Sequence, residues 1–498
     1  MEYISGEGRE QTLLIPECIE DCVDKNNAVR VIDAFVATLD LITLGFVRAE
    51  LKDKTGRPPY DPKDLLMLYI YGYLNRIRSS RRLEAECQRN LEVIWLLRRL
   101  RPDHKTIARF RADNKKVLKN VFRSFVQLCV RLDLYGKELA AIDGSKFKAV
   151  NSRSRNFTKK QIEAKIAKIT EKIDTYLAEM DTNDGKEAAC SEKTSAEITM
   201  IVAELAKQKE RYEGYRKELE ETRETQKSLT DPESRLMHTS GKMDVCYNVQ
   251  TAVDSKHKLI IDYEVSNQGN DANFITPTAV NALEIMGTKQ LTVVADAGYE
   301  SIHDILSARS KGIDVHVAGT DFDICVPVDE GKQAPPAPIQ SHHKGRCVYI
   351  AERNIALCPM GNVLYPSSHK KQKRRKEDAA VFNNSAACQQ CASKCTADKR
   401  GYFKYQVPMA KEDFSKKYND RGLAVKQIRI KPDKALIKQR KSIVEHPFGT
   451  IKRGMNAEYC LTKGLRKVNG EFALAFLAYN IKRVINILGC AKLIAAMA

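Results

Sequence analysis

The period of the apolar positions changes several times along the chain, and each change predicts a different kind of element. Over residues 1–136 apolar residues recur at helical spacing. Asp61-Pro62 supplies an N-cap and a proline at the first helical position, opening the run DLLMLYIYGYLNRI. Three short helical patterns follow: one after Ser80, one around Leu91–Leu97 and one after Pro102. Asp103 caps the last, HKTIARFRADNKKV, whose exposed face carries Lys105, Arg109, Arg111 and Lys115 or Lys116. Short helices ending in a basic one suit a helix-turn-helix reading head; a plain helical bundle with solvated cations has the same pattern.

ELAAIDGSKFKAV (138–150) alternates in part and predicts a strand. After Asn156 the apolar residues Ile162, Ile166, Ile169, Ile173, Tyr176 and Met180 alternate spacings of 4 and 3. Ile198, Ile201, Leu205, Gln208, Tyr212, Tyr215 and Leu219 repeat that alternation, with Thr194 and Glu197 offering a capping box. Two such helices joined by a polar loop predict an antiparallel hairpin. It reads as an insertion, because strand-like sequence resumes at DVCYNVQTAV (244–253) and KLIIDYEVS (258–266). Helices over 273–286 and 300–311 then alternate with strands over 290–296 and 313–318, an α/β pattern. Residues 321–430 are Pro-, Lys- and Cys-rich and weakly periodic, and read as a second insertion. The chain returns to helix in KQRKSIVEHPFGTIKRG, and again where Asn469 caps EFALAFLAYNIKRVINIL.

Composition narrows the class. The 498 residues carry 83 Lys+Arg against 64 Asp+Glu, a net charge of +19, which favours a polyanionic partner and nucleic acid first. At 43% hydrophobic the chain can build real cores. No uncharged apolar run of about 18 residues occurs, so no membrane span is expected. The start, MEYISGEGREQ, has no basic-then-apolar leader pattern, and a cytoplasmic, nucleoid-associated location is expected. Fourteen dispersed Cys do not form a disulfide framework.

Three acids sit where the architecture makes them useful. Asp143 lies inside the first strand, where an unpaired carboxylate is costly unless it meets a cation. Asp296 ends the strand LTVVAD, and ligands of open α/β sheets collect at the carboxyl ends of strands. Glu445 lies in the late helical segment SIVEHPFGTIK. Three converging carboxylates require counter-charge, and oxygen donors suit Mg²⁺. Two such ions about 4 Å apart serve phosphoryl displacement. Around Glu445, Lys438, Lys441 and Lys452 would share one face of a continuous helix, although Pro447 interrupts it. Arg440 adds charge beside them.

AIDGSKFKA, VVADAGYES and IVEHPFGTIKR resemble the three signature segments of bacterial insertion-sequence transposases of the DDE type. GRPPYDPKDLLMLYIYGYLNRIRSSRRLE, TDPESRLM and LTKGLRKVNGEFALAFLAYNIKRVINILG are similar to one branch of that family, with an amino-terminal helical domain and a Cys-containing insert before the Glu. The resemblance covers most of the chain. It implies an α/β fold with a ribonuclease-H-like catalytic core, in which a mixed five-stranded sheet has three antiparallel strands followed by two parallel ones. It implies that Asp143, Asp296 and Glu445 bind two Mg²⁺ ions, with Mn²⁺ able to substitute. The reaction implied is cutting at the element's ends and attack of the freed 3′-hydroxyl on target DNA. The implied partners are double-stranded terminal inverted repeats and target DNA, held by a homodimer or larger assembly. The family's extended pattern near the Glu is Tyr, two residues, Arg, three residues, Glu, six residues, Lys; here Lys438 and Lys441 stand at the Tyr and Arg positions, and Lys452 matches the last. Lysine keeps the charge but loses the bidentate fork. No Trp lies near Asp296.

The expected division is a helical DNA-binding domain over 1–136 and a catalytic domain over 137–320 and 431–490. The catalytic domain is interrupted by the hairpin at 156–235 and by the Cys-rich insert at 321–430. Cys358, Cys388, Cys391 and Cys395 could form a structural zinc site, with Cys347 as a spare ligand; free thiols are the alternative. Lys373, Arg374 and Arg375 in HKKQKRRKE (369–377) are candidate phosphate contacts, like Lys105 and Arg109. His446 adjoins Glu445 and could touch the scissile phosphate, with a packing or surface role as the alternative, and Asp271 is read as a helix cap rather than a supporting residue of the site. A metal-dependent nuclease on the same fold, or a DNA-binding repressor or architectural protein without activity, are the competing functions.

Overall fold

A computed structural model describes residues 18–50, 58–184, 195–222, 224–239, 241–328, 347–370, 378–391, 404–421 and 423–498. Six helices come first: α1 (Ala28–Ala37), α2 (Pro62–Leu74), α3 (Ser80–Arg89), α4 (Leu91–Leu96), α5 (His104–Asp113) and α6 (Leu118–Arg131). Their starts follow the expected chemistry. Asp61 accepts the Lys63 N–H ahead of Pro62, and Asp103 accepts the Thr106 N–H at 2.6 Å. Leu65 through Tyr71 of α2 are all buried, so α2 is the central helix of this group.

The main sheet starts with β1 (Leu139–Lys148). The hairpin leaves it through β2 (Asn156–Thr158) and α7 (Lys159–Asp184), and returns through α8 (Ser195–Glu221) and β3 (Gln226–Ser228). β2 and β3 pair antiparallel and close its base, where Phe157, Ile162 and Leu219 are buried beside Tyr212 and Tyr215. Thr194 of the expected capping box lies outside the described residues. The sheet resumes with β4 (Arg235–Thr239), β5 (Lys242–Asp254) and β6 (Ile260–Ser266), then α9 (Ile275–Met286), β7 (Leu291–Ala295), α10 (Ile302–Ser310) and β8 (Ile313–Val317). Its order is β4-β5-β1-β7-β8, with β6 also on β5. β5 runs antiparallel to β1 and β6, while β1, β7 and β8 are mutually parallel, so the protein is a mixed-sheet α/β molecule with many helices.

The 321–430 segment is more regular than its sequence suggests. β9 (Phe322–Val328) and β15 (Ala424–Ile430) pair antiparallel as a neck. Between them lie β10 (Val348–Ile350), β11 (Ile355–Leu357), β12 (Val363–Lys370), β13 (Ala379–Asn383), α11 (Ser385–Gln390), β14 (Tyr405–Pro408) and α12 (Lys411–Phe414). β10 to β14 form one antiparallel sheet around Tyr349, Leu364, Phe382 and Tyr405. Strands of three to eight residues give too few repeats for a period to show.

α13 (Lys434–Gly449), α14 (Leu465–Leu488) and α15 (Cys490–Ala495) complete the chain. α14 begins at Leu465, not at Asn469; the Asn469 carbonyl, inside the helix, accepts the Tyr263 hydroxyl at 2.8 Å. The loop ahead of α14 supplies its own anchors, Gly464 N–H to Asp231 and Leu465 N–H to Glu233, so no Asn cap is needed. α14 is buried nearly all round and packs on α2, α6 and β6, so one apolar core runs from the first helices into the sheet. No helix among the described residues is long and apolar enough to cross a membrane.

Candidate active site

Asp143 and Asp296 are placed side by side by strand register. β1 and β7 run parallel with Ala141 beside Val294, and the same register carried two residues further sets Asp143 beside Asp296. Ala140, Ala141 and Ile142 are fully buried, so the strand delivers Asp143 to the edge of the core with its side chain 21% exposed. Asp296 follows the last residue of β7, where its carboxylate accepts the Gly298 N–H at 2.9 Å and fixes the turn AGY.

Arg440 on α13 reaches this pair: its Nη1 lies 3.4 Å from Asp143 Oδ1. Burial pushes the Asp143 carboxyl up to about 6; Arg440 opposes that shift, while the charges on Asp296 and Asp271 add to it. Asp271 is not a helix cap. The amino end of α9 is capped from α10 instead, by Asp304 accepting the Ile275 and Thr276 N–H groups at 2.9 Å each. The Asp271 carboxylate receives Lys146 Nζ on both oxygens at 3.0 Å, and the Asn248 and Gln250 amides at 2.7 Å. Gln250 in turn accepts the buried Tyr299 hydroxyl. Gly144 and Lys146 point to the sheet face opposite Asp143, so this network backs the aspartates from behind. A Cβ on Gly144 would lie 2.3 Å from Gln250 Nε2 and 2.6 Å from Asp271 Oδ1, which explains the glycine. The sequence held a signal for this network: Asn248 and Gln250 are two polar residues at strand spacing inside the fully buried middle of β5.

Glu445 lies five residues after Arg440 on α13, about 140° around the helix axis. It is 64% exposed, with Lys441 Nζ 3.8 Å from its carboxylate. Lys438 and Lys441 are exposed on the same side. Lys452 does not continue that face. α13 runs through Pro447 into a π-helical turn, Thr450–Gly454, whose extra residue per turn rotates Lys452 inward. Its ammonium donates to the Lys146 carbonyl at 3.1 Å and lies 4.6 Å over the Phe147 ring, and burial lowers its pKa. His446 bonds the Tyr479 hydroxyl at 2.9 Å, a packing role. Among the described residues no three of His, Cys, Asp and Glu stand close enough to hold one metal ion.

The other expected contacts are spread over the molecule. Lys105 and Arg109 are exposed on α5, the latter 3.8 Å from Asp113, while Arg111 turns inward over Tyr69. Lys373, Arg374, Arg375 and Cys395 lie outside the described residues. The β10–β11 register, carried one step further, sets buried Cys347 opposite Cys358, and Cys358 Sγ accepts the Asn362 N–H at 3.3 Å. Cys388 and Cys391 are half-buried at α11.

Two family models match the chain. Residues 17–113 match the Transposase domain (DUF772) family, and residues 357–485 match the Transposase DDE domain family. No curated protein matches. A solved structure described as a piggyBac transposase synaptic complex with hairpin DNA is similar at 10% identity, over 96% of this chain and 80% of that one. Its TM-score is 0.29, too low to carry any argument about this fold. The first helices are therefore similar to a transposase domain, and the stretch from β11 through α13 into α14 to a transposase DDE domain, and together the two matches support a DNA transposase function.

Proposed function

We propose that Asp143 and Asp296, completed by Glu445, hold the divalent ions with which this transposase cuts the ends of its own element and joins the freed 3′-hydroxyl to target DNA. The observation that carries the reading is the parallel register of β1 and β7, which, carried two residues past Ala141 and Val294, sets Asp143, inside β1, beside Asp296, just past the end of β7. The donor set fits a hard divalent cation: two carboxylates, one of them pushed up to about 6 by burial and with a like charge beside it, form a site that favours added positive charge. The sheet order, with β6, β5 and β1 antiparallel and β1, β7 and β8 parallel, supports a ribonuclease-H-like core. Packing of α13 against β1 and β7 supports Glu445 as the third carboxylate, because its helix already touches both strands that carry the aspartates.

Bound Mg²⁺ or Mn²⁺ would stabilise charge on the attacking and leaving oxygens of the phosphoryl displacement. The chain's own residues do the rest. Arg440 balances Asp143, the Asp271 network fixes the strand behind it, and Lys438 and Lys441 present exposed cations to the phosphates of a DNA strand. DNA is therefore the proposed partner, as terminal repeats and as target. The two transposase domains favour neither a stand-alone nuclease nor an inactive repressor.

Mn²⁺ binding, read by loss of the free-ion electron paramagnetic resonance signal, tests the ligand set. Saturable uptake by the wild type, weakened at least ~10-fold in Asp143→Asn and in Asp296→Asn, is expected. Equal uptake by wild type and both variants overturns the assignment. Structural zinc at Cys358, Cys388, Cys391 and Cys395 is a separate proposal, supported by the Asn362 N–H donated to Cys358. One zinc per chain is expected in elemental analysis, and its absence from protein never exposed to chelator contradicts it.

A further inference from the structure

Where the first helices meet the catalytic domain, a groove of about 440 Å³ opens between the end of α2, one face of α3 and the turn that follows α13. Its walls carry Arg76, Arg82, Arg89 and Arg453, with Asn75 and Asn456. Arg82, Glu86 and Arg89 fall at spacings of 4 and 3 and so form one stripe of α3. Glu86 is the one carboxylate in the lining, and it is already engaged: Arg89 Nε donates to it at 3.1 Å and Asn90 Nδ2 at 3.0 Å. Arg76, Arg82 and Arg453 are exposed, and none forms an ion pair among the described residues.

The backbone at Arg76 has φ +65°, a left-handed conformation that costs an arginine about 1 kcal/mol and a glycine nothing. An arginine held there at that cost, facing a second wall of arginine from a distant part of the chain, makes a concentrated guanidinium site. Guanidinium forks match phosphate oxygens two at a time, which makes phosphodiester the fitting ligand class.

The groove is rigidly tied to the aspartates. Lys148, at the end of β1, pairs with Tyr459, three residues past Asn456. Arg78 clamps the same segment, with Nη1 donating to the Tyr459 carbonyl at 2.9 Å and the guanidinium 4.7 Å over its ring. From Asp143 to Lys148 the strand covers roughly 17 Å, about half a turn of duplex DNA.

Resting on the transposase reading above, we infer that this groove grips the phosphodiester backbone of duplex DNA about half a helical turn or more from the phosphate held at Asp143 and Asp296. It is a second anchor, separate from the α13 lysines, and it reads no bases.

The test is the salt dependence of binding by the full chain to a fluorescent 30-base-pair duplex, read by anisotropy. Arg76→Ala/Arg453→Ala is compared with wild type and with Lys482→Ala/Lys492→Ala, a charge-matched control on α14 and α15. Loss of two phosphate contacts lowers the slope of log K against log salt by about 1.8 and weakens binding about 10- to 60-fold at 0.1 M salt. The control keeps the wild-type slope, and melting curves establish that all three proteins are folded. An unchanged slope in the groove variant, or an equal loss in the control, overturns the groove while leaving the transposase reading in place. Wild-type protein that binds no duplex DNA at any salt sinks both.

Discussion

At Asp143, burial and two neighbouring carboxylates work against Arg440, and the acid ends near 6. Its folded pKa therefore stands above the unfolded value of about 3.9, so its contribution to stability is fully present below that value and is lost as pH rises through about 6. Asp143→Asn, which carries no charge, is expected to be more stable than wild type at pH 7.5 in EDTA by on the order of 1–3 kcal/mol, with the difference closing toward pH 4. Urea unfolding at the two pH values measures this; an Asn variant less stable than wild type at pH 7.5 contradicts the balance of charges. The same titration predicts that the metal-free protein takes up Mn²⁺ less tightly as pH drops below about 6, because proton and cation compete for this carboxylate. Gly144 makes a sharper steric prediction. In Gly144→Ala the new Cβ must displace Gln250 and Asp271, so destabilisation of about 1–3 kcal/mol and reduced cutting are expected, and wild-type values for both would show that the backing network is dispensable.

Among the elements, the hairpin and α13 behave differently. α7 and α8 leave the sheet through β2 and return through β3, whose pairing brings the two ends of the insertion together. Replacing residues 159–225 by a four-residue turn is therefore expected to leave the core folded, with an unchanged near-ultraviolet circular dichroism spectrum; an aggregated product contradicts an independent insertion. The hairpin was readable from its alternation of 4 and 3, and the core strands from their short apolar runs, because both rest on local periodicity. The insert's sheet was not readable, since its strands are short and held together by contacts distant in sequence. At α13 the sequence suggested one face from Lys438 to Lys452. The π-helical turn after Pro447, a backbone feature that no residue spacing announces, broke it. Asp143 and Asp296 stood out through their positions in strands. Asp271 did not, because its value lies in Lys146, Asn248 and Gln250, which reach it only through folding.

For the whole molecule, the helices that come first share one core with the main sheet. Arg78 and Glu471 pair at 3.1 Å with both side chains nearly inaccessible, and Glu471 also accepts the Leu461 and Thr462 N–H groups. Arg78→Ala removes the buried partner of that carboxylate and the cover over Tyr459, so a loss of about 3–5 kcal/mol is expected in chemical denaturation. A loss below ~1 kcal/mol would mean that the two regions are coupled by α2 and α14 packing alone. This junction keeps the arginine groove at a set distance from the aspartates, so that a bound duplex can be held at two places at once.

The central claim is that Asp143, Asp296 and Glu445 together make this chain a metal-dependent DNA-cutting and DNA-joining enzyme. The most direct measurement is the reaction itself, on a supercoiled plasmid carrying the gene's own flanking DNA, with a second plasmid as target. Wild type, Asp143→Asn, Asp296→Asn and Glu445→Gln are compared in Mg²⁺ and in EDTA, and every end is mapped to the nucleotide. The account predicts cuts at the element's boundaries and 3′-hydroxyl joining to the target, only with Mg²⁺ and only by wild type. Boundary cuts of wild-type strength from any of the three variants would contradict it.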